Sequence, residues 1–141
     1  MRPVWFACLV ISVAVLVYSA VLISVPSLAF AESTKPHAKV IRFENSGKAV
    51  QQLLGGPPET VTMKSGLVTL PPGKSVGKHS TGQNEEMLVI LAGQGEMVFK
   101  DGSRLDLAAN QALYCPPDTE HDVKNTGTEG LRYVYVVAST K

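Results

Sequence analysis

The chain has 141 residues, of which 45% are hydrophobic and 18% are charged, so it has room for one globular domain of ordinary composition. Its formal net charge is only +1, and the basic residues form no run along the sequence. The sequence therefore excludes the concentrated basic surface that a nucleic-acid partner requires.

The N-terminal segment has the three parts of a secretory signal peptide. Arg2 precedes an apolar run from Val4 to Val25, and the small-x-small triplet Ala29-Phe30-Ala31 follows it. We expect a signal peptide over residues 1–31, with cleavage after Ala31. The run is also long enough to span a bilayer, so an uncleaved membrane anchor is the alternative. Either outcome exports the domain, which predicts a periplasmic or secreted protein or an anchored one that faces outside the cytoplasm.

The exported part of the chain is electrically balanced and has no internal disulfide. Removal of residues 1–31 takes away Arg2 alone among the charged residues, which leaves 12 basic residues (13 minus 1) and 12 acidic ones. Cys8 leaves with the same segment, and Cys115 then has no partner cysteine. We expect Cys115 to be buried as a small apolar residue beside Tyr114.

After a polar lead-in over residues 32–39, the chain is a series of short β-prone segments separated by Gly, Pro, Asn and Asp. The predicted strands lie within residues 40–43, 59–70, 85–93, 95–100, 104–107, 111–115, 121–125 and 131–139. Only "GKAVQQLLGG", residues 47–56, could carry a helical turn. Strands this short and this closely spaced predict an all-β domain over residues 40–138, folded as a small antiparallel barrel or sandwich rather than as βαβ units.

Metal-capable side chains occur within this series. His37 lies in the polar lead-in and is expected to be solvated, whereas His79 and His121 lie next to predicted strands. Glu86 follows His79 closely enough for both side chains to face one interior. Two imidazoles and one carboxylate suit Fe, Mn, Ni, Cu or Zn, and they leave coordination positions open. The spacing alone also suits two histidines hydrogen-bonded inside an empty barrel.

The two halves of the domain resemble the paired motifs of the cupin superfamily. The first motif, G-x5-H-x-H-x3,4-E-x6-G, is similar to "GKSVGKHSTGQNEEMLVILAG". The second, G-x5-P-x-G-x2-H-x3-N, is similar to "NQALYCPPDTEHDVKN". The positions in frame are Gly73, His79, Thr81, Glu86 and Gly93 in the first motif, and Asn110, Pro116, Asp118, His121 and Asn125 in the second. The resemblance implies a small cupin barrel (a double-stranded β-helix, jelly-roll-like), commonly dimeric, with a metal in its bowl.

Carried over position by position, the resemblance implies His79, Glu86 and His121 as metal ligands. Thr81 stands where the family has a second histidine of the first motif, and a hydroxyl is a poor substitute for an imidazole. Gln83 is close enough to act as a weak additional ligand. Glu85 competes with Glu86, but adjacent strand residues face opposite sides, and Glu86 fits the spacing to Gly93.

The remaining positions have structural explanations. Asn110 and Asp118 replace motif glycines and tolerate turn conformations. Gly93 and Gly95 are expected to supply positive φ angles between paired strands. Tyr133 and Tyr135 share one face of the last strand, where Tyr114 could join them, and all three are predicted as core or interface aromatics.

The predicted function is that of an exported cupin with a divalent metal, as in a metal-dependent oxygenase or isomerase acting on a small polar substrate. No catalytic residue can be assigned beyond the metal ligands. The alternatives are a non-catalytic barrel that binds a sugar or organic acid, and a structural barrel without metal. Apolar residues on both faces of the strands around 87–92 and 133–138 predict a homodimer.

Overall fold

The computed structural model describes residues 35–44 and 46–141. The predicted signal peptide and its cleavage site after Ala31 lie outside these ranges. Within them, the chain forms no helix long and apolar enough to cross a membrane.

The described chain is all-β, as predicted. Its strands are β1 Val50–Gly55, β2 Lys64–Leu70, β3 His79–Ser80, β4 Asn84–Ala92, β5 Gln94–Phe99, β6 Arg104–Ala108, β7 Ala112–Cys115, β8 Glu120–Asn125 and β9 Leu131–Ser139. A five-stranded sheet has the order β1-β2-β9-β4-β7, and a four-stranded sheet has the order β3-β8-β5-β6. All strand pairs are antiparallel. Neighbours such as β2 and β9 are distant in sequence, as expected when two sheets interleave into a double-stranded β-helix.

Two predicted elements near the start of the domain were wrong. Residues 47–56 carry no helical turn, because Val50–Gly55 is an edge strand whose Val50 pairs with Val68 of β2. Residues 40–43 form no strand, although their composition is β-prone. Val40 is 90% exposed, so this segment has neither a partner strand nor a core face to hold it.

The core lies between the two sheets and is built from alternate residues of their strands. In β4, Leu88 and Ile90 are almost fully buried while Met87 and Val89 are not, which is the two-residue period of a strand with one face inward. Met97 of β5 packs into the same cluster from the other sheet. Burial of each such side chain stabilises the fold by roughly 1.5–3 kcal/mol.

The turns use left-handed backbone conformations where the sequence predicts them, with one exception. Gly93 has φ +82°, and Asn110 and Asp118, which stand at motif glycine positions, have φ 66° and 56°. Gly95 does not have positive φ, so that prediction was wrong. Its lack of a side chain is still required, because a Cβ there would lie 2.5 Å from the carbonyl oxygen of Lys124.

Candidate metal centre

Strands β3 and β8 bring the two histidines of the domain together. His79 and His121 are directly paired in the antiparallel register, so their side chains leave the same face of the four-stranded sheet. Their ring centroids are 4.4 Å apart at an interplanar angle of 61°. His121 is almost fully buried, whereas His79 is exposed. One imidazole therefore lies deep in the bowl and the other at its mouth.

Glu86 reaches the same point from the opposite sheet. Its side chain is 9% exposed, and one ligand atom from each of His79, Glu86 and His121 lies within 4.8 Å of the other two. The neighbouring Glu85 is exposed on the other face of β4, where its Oε2 accepts a hydrogen bond from the Tyr114 hydroxyl at 3.2 Å. Strand alternation thus directs Glu86 inward and Glu85 outward.

Backbone carbonyls fix both imidazoles through their Nδ1 atoms. Nδ1 of His79 lies 2.9 Å from the carbonyl oxygen of Gly77, and Nδ1 of His121 lies 3.2 Å from that of Thr119. A carbonyl only accepts hydrogen bonds, so each Nδ1 carries a proton, and whenever a ring is neutral its lone pair is on Nε2. This is the arrangement by which proteins orient metal-binding histidines.

Nε2 of His121 is buried and has no hydrogen-bond partner among the described residues. It lies 3.3 Å from Oε2 of Glu86, which is an ion-pair distance, but the geometry is not that of a hydrogen bond. Buried polar atoms rarely lack a hydrogen-bond partner or ligand, so we expect this nitrogen to have a further partner. A proton shared with Glu86 or a cation between the two side chains would supply one.

The electrostatics of His121 reflect its two neighbours. Burial disfavours the imidazolium, but Glu86 beside Nε2 and the Thr119 carbonyl at Nδ1 outweigh burial and raise the pKa of His121 above its ordinary value. The Cys115 thiol lies 3.5 Å from Nδ1, on the side of the ring away from Glu86. Burial, together with the charge of Glu86, raises the pKa of this thiol, so Cys115 stays a neutral, buried group.

The donor set fits a divalent transition metal. Two imidazole nitrogens and a carboxylate oxygen are ligands that Fe, Mn, Ni, Cu and Zn accept. Ligand atoms bound at about 2.1 Å can be at most about 4.2 Å apart, so small side-chain rotations would bring the three atoms from their present separations into coordination range.

The other candidate ligands do not join this group. The Thr81 hydroxyl donates to the Pro116 carbonyl at 2.8 Å and accepts from the Thr119 N–H at 3.0 Å, so it ties the loop after β3 to the loop before β8. Gln83 is exposed, and its backbone carbonyl oxygen accepts a hydrogen bond from the hydroxyl of Thr140. His37 lies outside the bowl, in the exposed lead-in.

A cavity of about 450 Å³ opens in front of the three side chains. Tyr133 and Tyr135 of β9 line it, while Tyr114 points away and is 59% exposed. Five valines form much of its wall: Val50, Val68, Val76, Val123 and Val137. The two-residue spacing of Tyr133 and Tyr135 indicated that they share one face of the strand. Whether that face lines a cavity depends on the order of the strands in the sheets, which short-range sequence patterns do not reveal.

One positioning contact was also missed from the sequence. Oδ1 of the buried Asp122 accepts a hydrogen bond at 2.9 Å from the N–H of Gly77, the residue whose carbonyl holds His79. Gly77 has φ +90°, a conformation that favours glycine. Asp122 therefore anchors the loop that orients His79, and only the three-dimensional register reveals the link.

The family is established by sequence. The model of the cupin domain family matches residues 66–137, just over half of the chain, and the protein belongs to this family. The chain is 35% identical over 69 residues to an oxalate-binding protein from Thermotoga maritima. That match covers 48% of this chain and 55% of the relative, so the chain spans about half the length of the curated relative it matches.

Solved cupin structures share the fold. A cupin 2 conserved barrel domain protein from Salinispora arenicola superposes with a TM-score of 0.63 at 24% identity, covering 74% of this chain and 92% of that one. A cupin family protein with a double-stranded β-helix fold from Methanocaldococcus jannaschii superposes with a TM-score of 0.62 at 21% identity, covering 72% and 91%. At these identities the likeness shows the fold alone.

Proposed function

We propose that this cupin binds a divalent transition metal through His79, Glu86 and His121 and uses the metal to hold a small oxygen-bearing molecule. The observation that carries the proposal is Nε2 of His121, which is buried, lacks a hydrogen-bond partner among the described residues and faces the Glu86 carboxylate. A metal at this point would take up the Nε2 lone pair and offset the charge of the buried carboxylate.

Other residues would orient the metal ligands and accommodate the bound molecule. The carbonyls of Gly77 and Thr119 hold the two rings in the tautomer that binds metal, and the cavity admits a molecule of small organic size. When bound, the metal supplies Lewis acidity toward the ligand oxygen. The curated relative is named for binding oxalate, which supports a small organic acid as the kind of molecule held here.

Catalysis on the bound molecule is the second candidate function. Three protein ligands leave coordination positions free, which is the arrangement of non-haem iron oxygenases and of metal sites that polarise carbonyl groups. An oxygenase or isomerase-like reaction would therefore take place at the same residues. Binding without turnover and binding with turnover are distinguished by whether a bound acid is recovered unchanged after incubation with metal-loaded protein in air.

Metal content is the direct test of the proposed function. Protein purified without a polyhistidine tag should contain close to one equivalent of a transition metal by elemental analysis. His79→Ala and His121→Ala should each lose it, because two remaining ligands hold a borderline metal poorly. Glu85→Gln is the matched control, since it changes an adjacent carboxylate on the opposite face and should leave metal content unaltered.

A metal-free wild type that also fails to bind Mn²⁺, Fe²⁺ or Zn²⁺ at micromolar concentrations would overturn the proposal. The barrel would then contain a protonated His121–Glu86 pair in place of a metal. The proposal would also be contradicted if Glu85→Gln lost as much metal as His121→Ala. Metal loss would then not depend on the residues that line the bowl.

We also propose that the domain acts outside the cytoplasm, from the apolar run and the Ala29-Phe30-Ala31 triplet that precede it. Exported protein should have Glu32 as its first residue. Intact-mass measurement decides between this form and a membrane-bound form that retains Met1.

A further inference from the structure

The cavity has a polar end and an apolar wall. His79, Glu86 and His121 form the polar end, and the five valines named above form much of the remaining surface. Two of these valines are well exposed: Val50 is 50% and Val76 is 39% exposed. A ligand as small and as polar as oxalate would leave this apolar wall in contact with water.

Two tyrosine hydroxyls join the polar end. Tyr133 is 3% exposed, and neither its hydroxyl nor that of Tyr135 has a hydrogen-bond partner among the described residues, in contrast to Tyr114, which donates to Glu85. Burial and then the charge of Glu86 raise the pKa of both tyrosines, so both hydroxyls remain donors. Two unpaired donors beside a metal group are suited to an anionic oxygen.

Gly66 makes room for the second of these hydroxyls. It pairs directly with Tyr135 across β2 and β9, and a Cβ at Gly66 would lie 2.6 Å from Cε1 and 2.8 Å from the hydroxyl oxygen of Tyr135. Any larger residue would displace the ring from its position over the strand. The Tyr135 hydroxyl is therefore placed at the cavity by the absence of a side chain on its neighbour.

The charges at the polar end indicate how many negative groups the ligand carries. A divalent metal with the Glu86 carboxylate and two neutral imidazoles has a net charge of +1 (+2 minus 1). Lys78 also lines the cavity, at its exposed edge. The nearby Asp122 is engaged with the Gly77 N–H and is not among the lining residues. One carboxylate balances the metal group itself. Lys78 is exposed and its charge is screened by solvent, so a second carboxylate inside the apolar cavity would have no buried counter-charge.

We propose that the ligand of this site is a monocarboxylic acid with an apolar body, whose oxygen-bearing head binds at the metal and at Tyr133 and Tyr135 and whose body lies against the valine wall. This inference rests on the proposed metal site and deepens it. A protein specific for oxalate would not show this preference, because contact with the apolar wall should increase the affinity for the ligand with each additional carbon.

A chain-length series tests the inference. Isothermal titration of purified protein loaded with Mn²⁺ would compare oxalate with pyruvate, 2-oxobutanoate, 2-oxopentanoate and 2-oxohexanoate, which share one head group. We expect Kd to fall with each added methylene by about twofold to fourfold, since burial of one CH₂ contributes up to about 0.8 kcal/mol. Oxalate should bind more weakly than the longest acids.

Three variants assign the effect to the named residues. Val76→Ser should flatten the dependence on chain length while the protein still binds pyruvate. Tyr135→Phe should weaken every acid by a similar factor of about 2–10, the range for loss of one hydrogen bond, and Gly66→Ala should do the same by displacing the ring. Tyr114→Phe, which removes a hydroxyl on the outer face, is the matched control and should bind as the wild type does.

Elemental analysis of the same samples keeps the two proposals separate. Absence of metal overturns the proposed function, and the titrations, repeated on metal-free protein, still decide the ligand class. A series with no dependence on chain length, or oxalate as the tightest ligand, overturns the inference whether or not metal is bound. So does a Tyr135→Phe variant indistinguishable from Tyr114→Phe.

Discussion

Nε2 of His121 lies 3.3 Å from Oε2 of Glu86, across the gap between the two sheets of the barrel. The pair comes from β8 and β4, which belong to different sheets, so the bowl is closed at this point by two side chains of complementary chemistry. We expect a shared proton to hold the pair in metal-free protein, and coordination to hold it if the proposed metal binds. We expect this relationship to make the stability of the metal-free protein depend on pH.

In metal-free protein we expect His121 to titrate above the ordinary histidine pKa of about 6.5, because Glu86 and the Thr119 carbonyl outweigh the effect of burial. A pKa raised in the folded state stabilises the fold fully below the unfolded pKa, and this contribution is lost as pH rises through the folded pKa. Unfolding free energy of EDTA-treated protein should therefore fall as pH increases above neutrality.

The matched variant for this pH effect is Glu86→Gln. It keeps the size of the side chain and removes its charge, so the pKa of His121 should fall and the pH dependence should weaken, because only the Thr119 carbonyl and the charge of Asp122 would then oppose burial. NMR titration of the His121 ring and urea unfolding at several pH values measure the two quantities. An unchanged His121 pKa in Glu86→Gln would contradict the assignment of the shift to this carboxylate.

Thr81 is expected to contribute to stability through its two hydrogen bonds to the loop before β8. Thr81→Val keeps the shape but leaves the Pro116 carbonyl and the Thr119 N–H without this partner, which should cost about 1–3 kcal/mol of unfolding free energy. Thr81→Ser retains the hydroxyl and should cost less than half as much. Equal loss in both variants, measured by urea unfolding, would show that the methyl group rather than the hydrogen bonds matters.

Gly95 is expected to resist even the smallest substitution. A Cβ there would lie 2.5 Å from the Lys124 carbonyl oxygen and 2.6 Å from Cδ2 of Leu131, so Gly95→Ala should destabilise the protein by about 1–3 kcal/mol. Gly130→Ala is the control, because its Cβ would meet nothing closer than 3.9 Å. Thermal unfolding of the two variants should differ clearly, and similar values would show that the strands separate at little cost.

Much of the barrel could be predicted because its signals are local. Turn residues such as Asn110 and Asp118 adopt positive φ where the motif frame places them, and alternation along β4 correctly separates Glu86 from Glu85. The segment at residues 40–43 was misassigned because a β-prone composition does not reveal whether a partner strand is present. Val50–Gly55 was misassigned for the converse reason, since its pairing with β2 outweighs a weak helical pattern.

Candidate site residues could be predicted from the sequence only where the residue type alone indicates the role. Histidine and glutamate are residue types that commonly bind metals, so a motif could pick out His79, Glu86 and His121 as candidate ligands. The role of Thr81 as a tie between two loops depends on partners 35 and 38 residues away. The anchoring of Gly77 by Asp122 spans 45 residues. Such contacts follow from the register of non-neighbouring strands, which local patterns do not encode.

The outer face of the five-stranded sheet is the surface on which we expect a homodimer to form. Met87, Val89 and Leu91 of β4 are 44%, 36% and 37% exposed, and Tyr114 of β7, which pairs with Met87, is 59% exposed. An exposed group of apolar side chains on one sheet face is characteristic of a protein interface. Light scattering at micromolar concentration should give twice the monomer mass, with roughly 800 Å² buried per subunit for a stable pair.

Val89→Arg, at the centre of this face, should convert the dimer to a folded monomer, because a charge buried without a partner is strongly unfavourable at an interface. Leu105→Arg is the matched control: Leu105 is similarly exposed at 49%, but it lies on β6 of the other sheet. This variant should remain dimeric. The prediction would be wrong if the wild type were a monomer at micromolar concentration. It would also be wrong if Leu105→Arg dissociated the dimer and Val89→Arg did not. In either case the apolar side chains of β4 would be exposed without contributing to self-association.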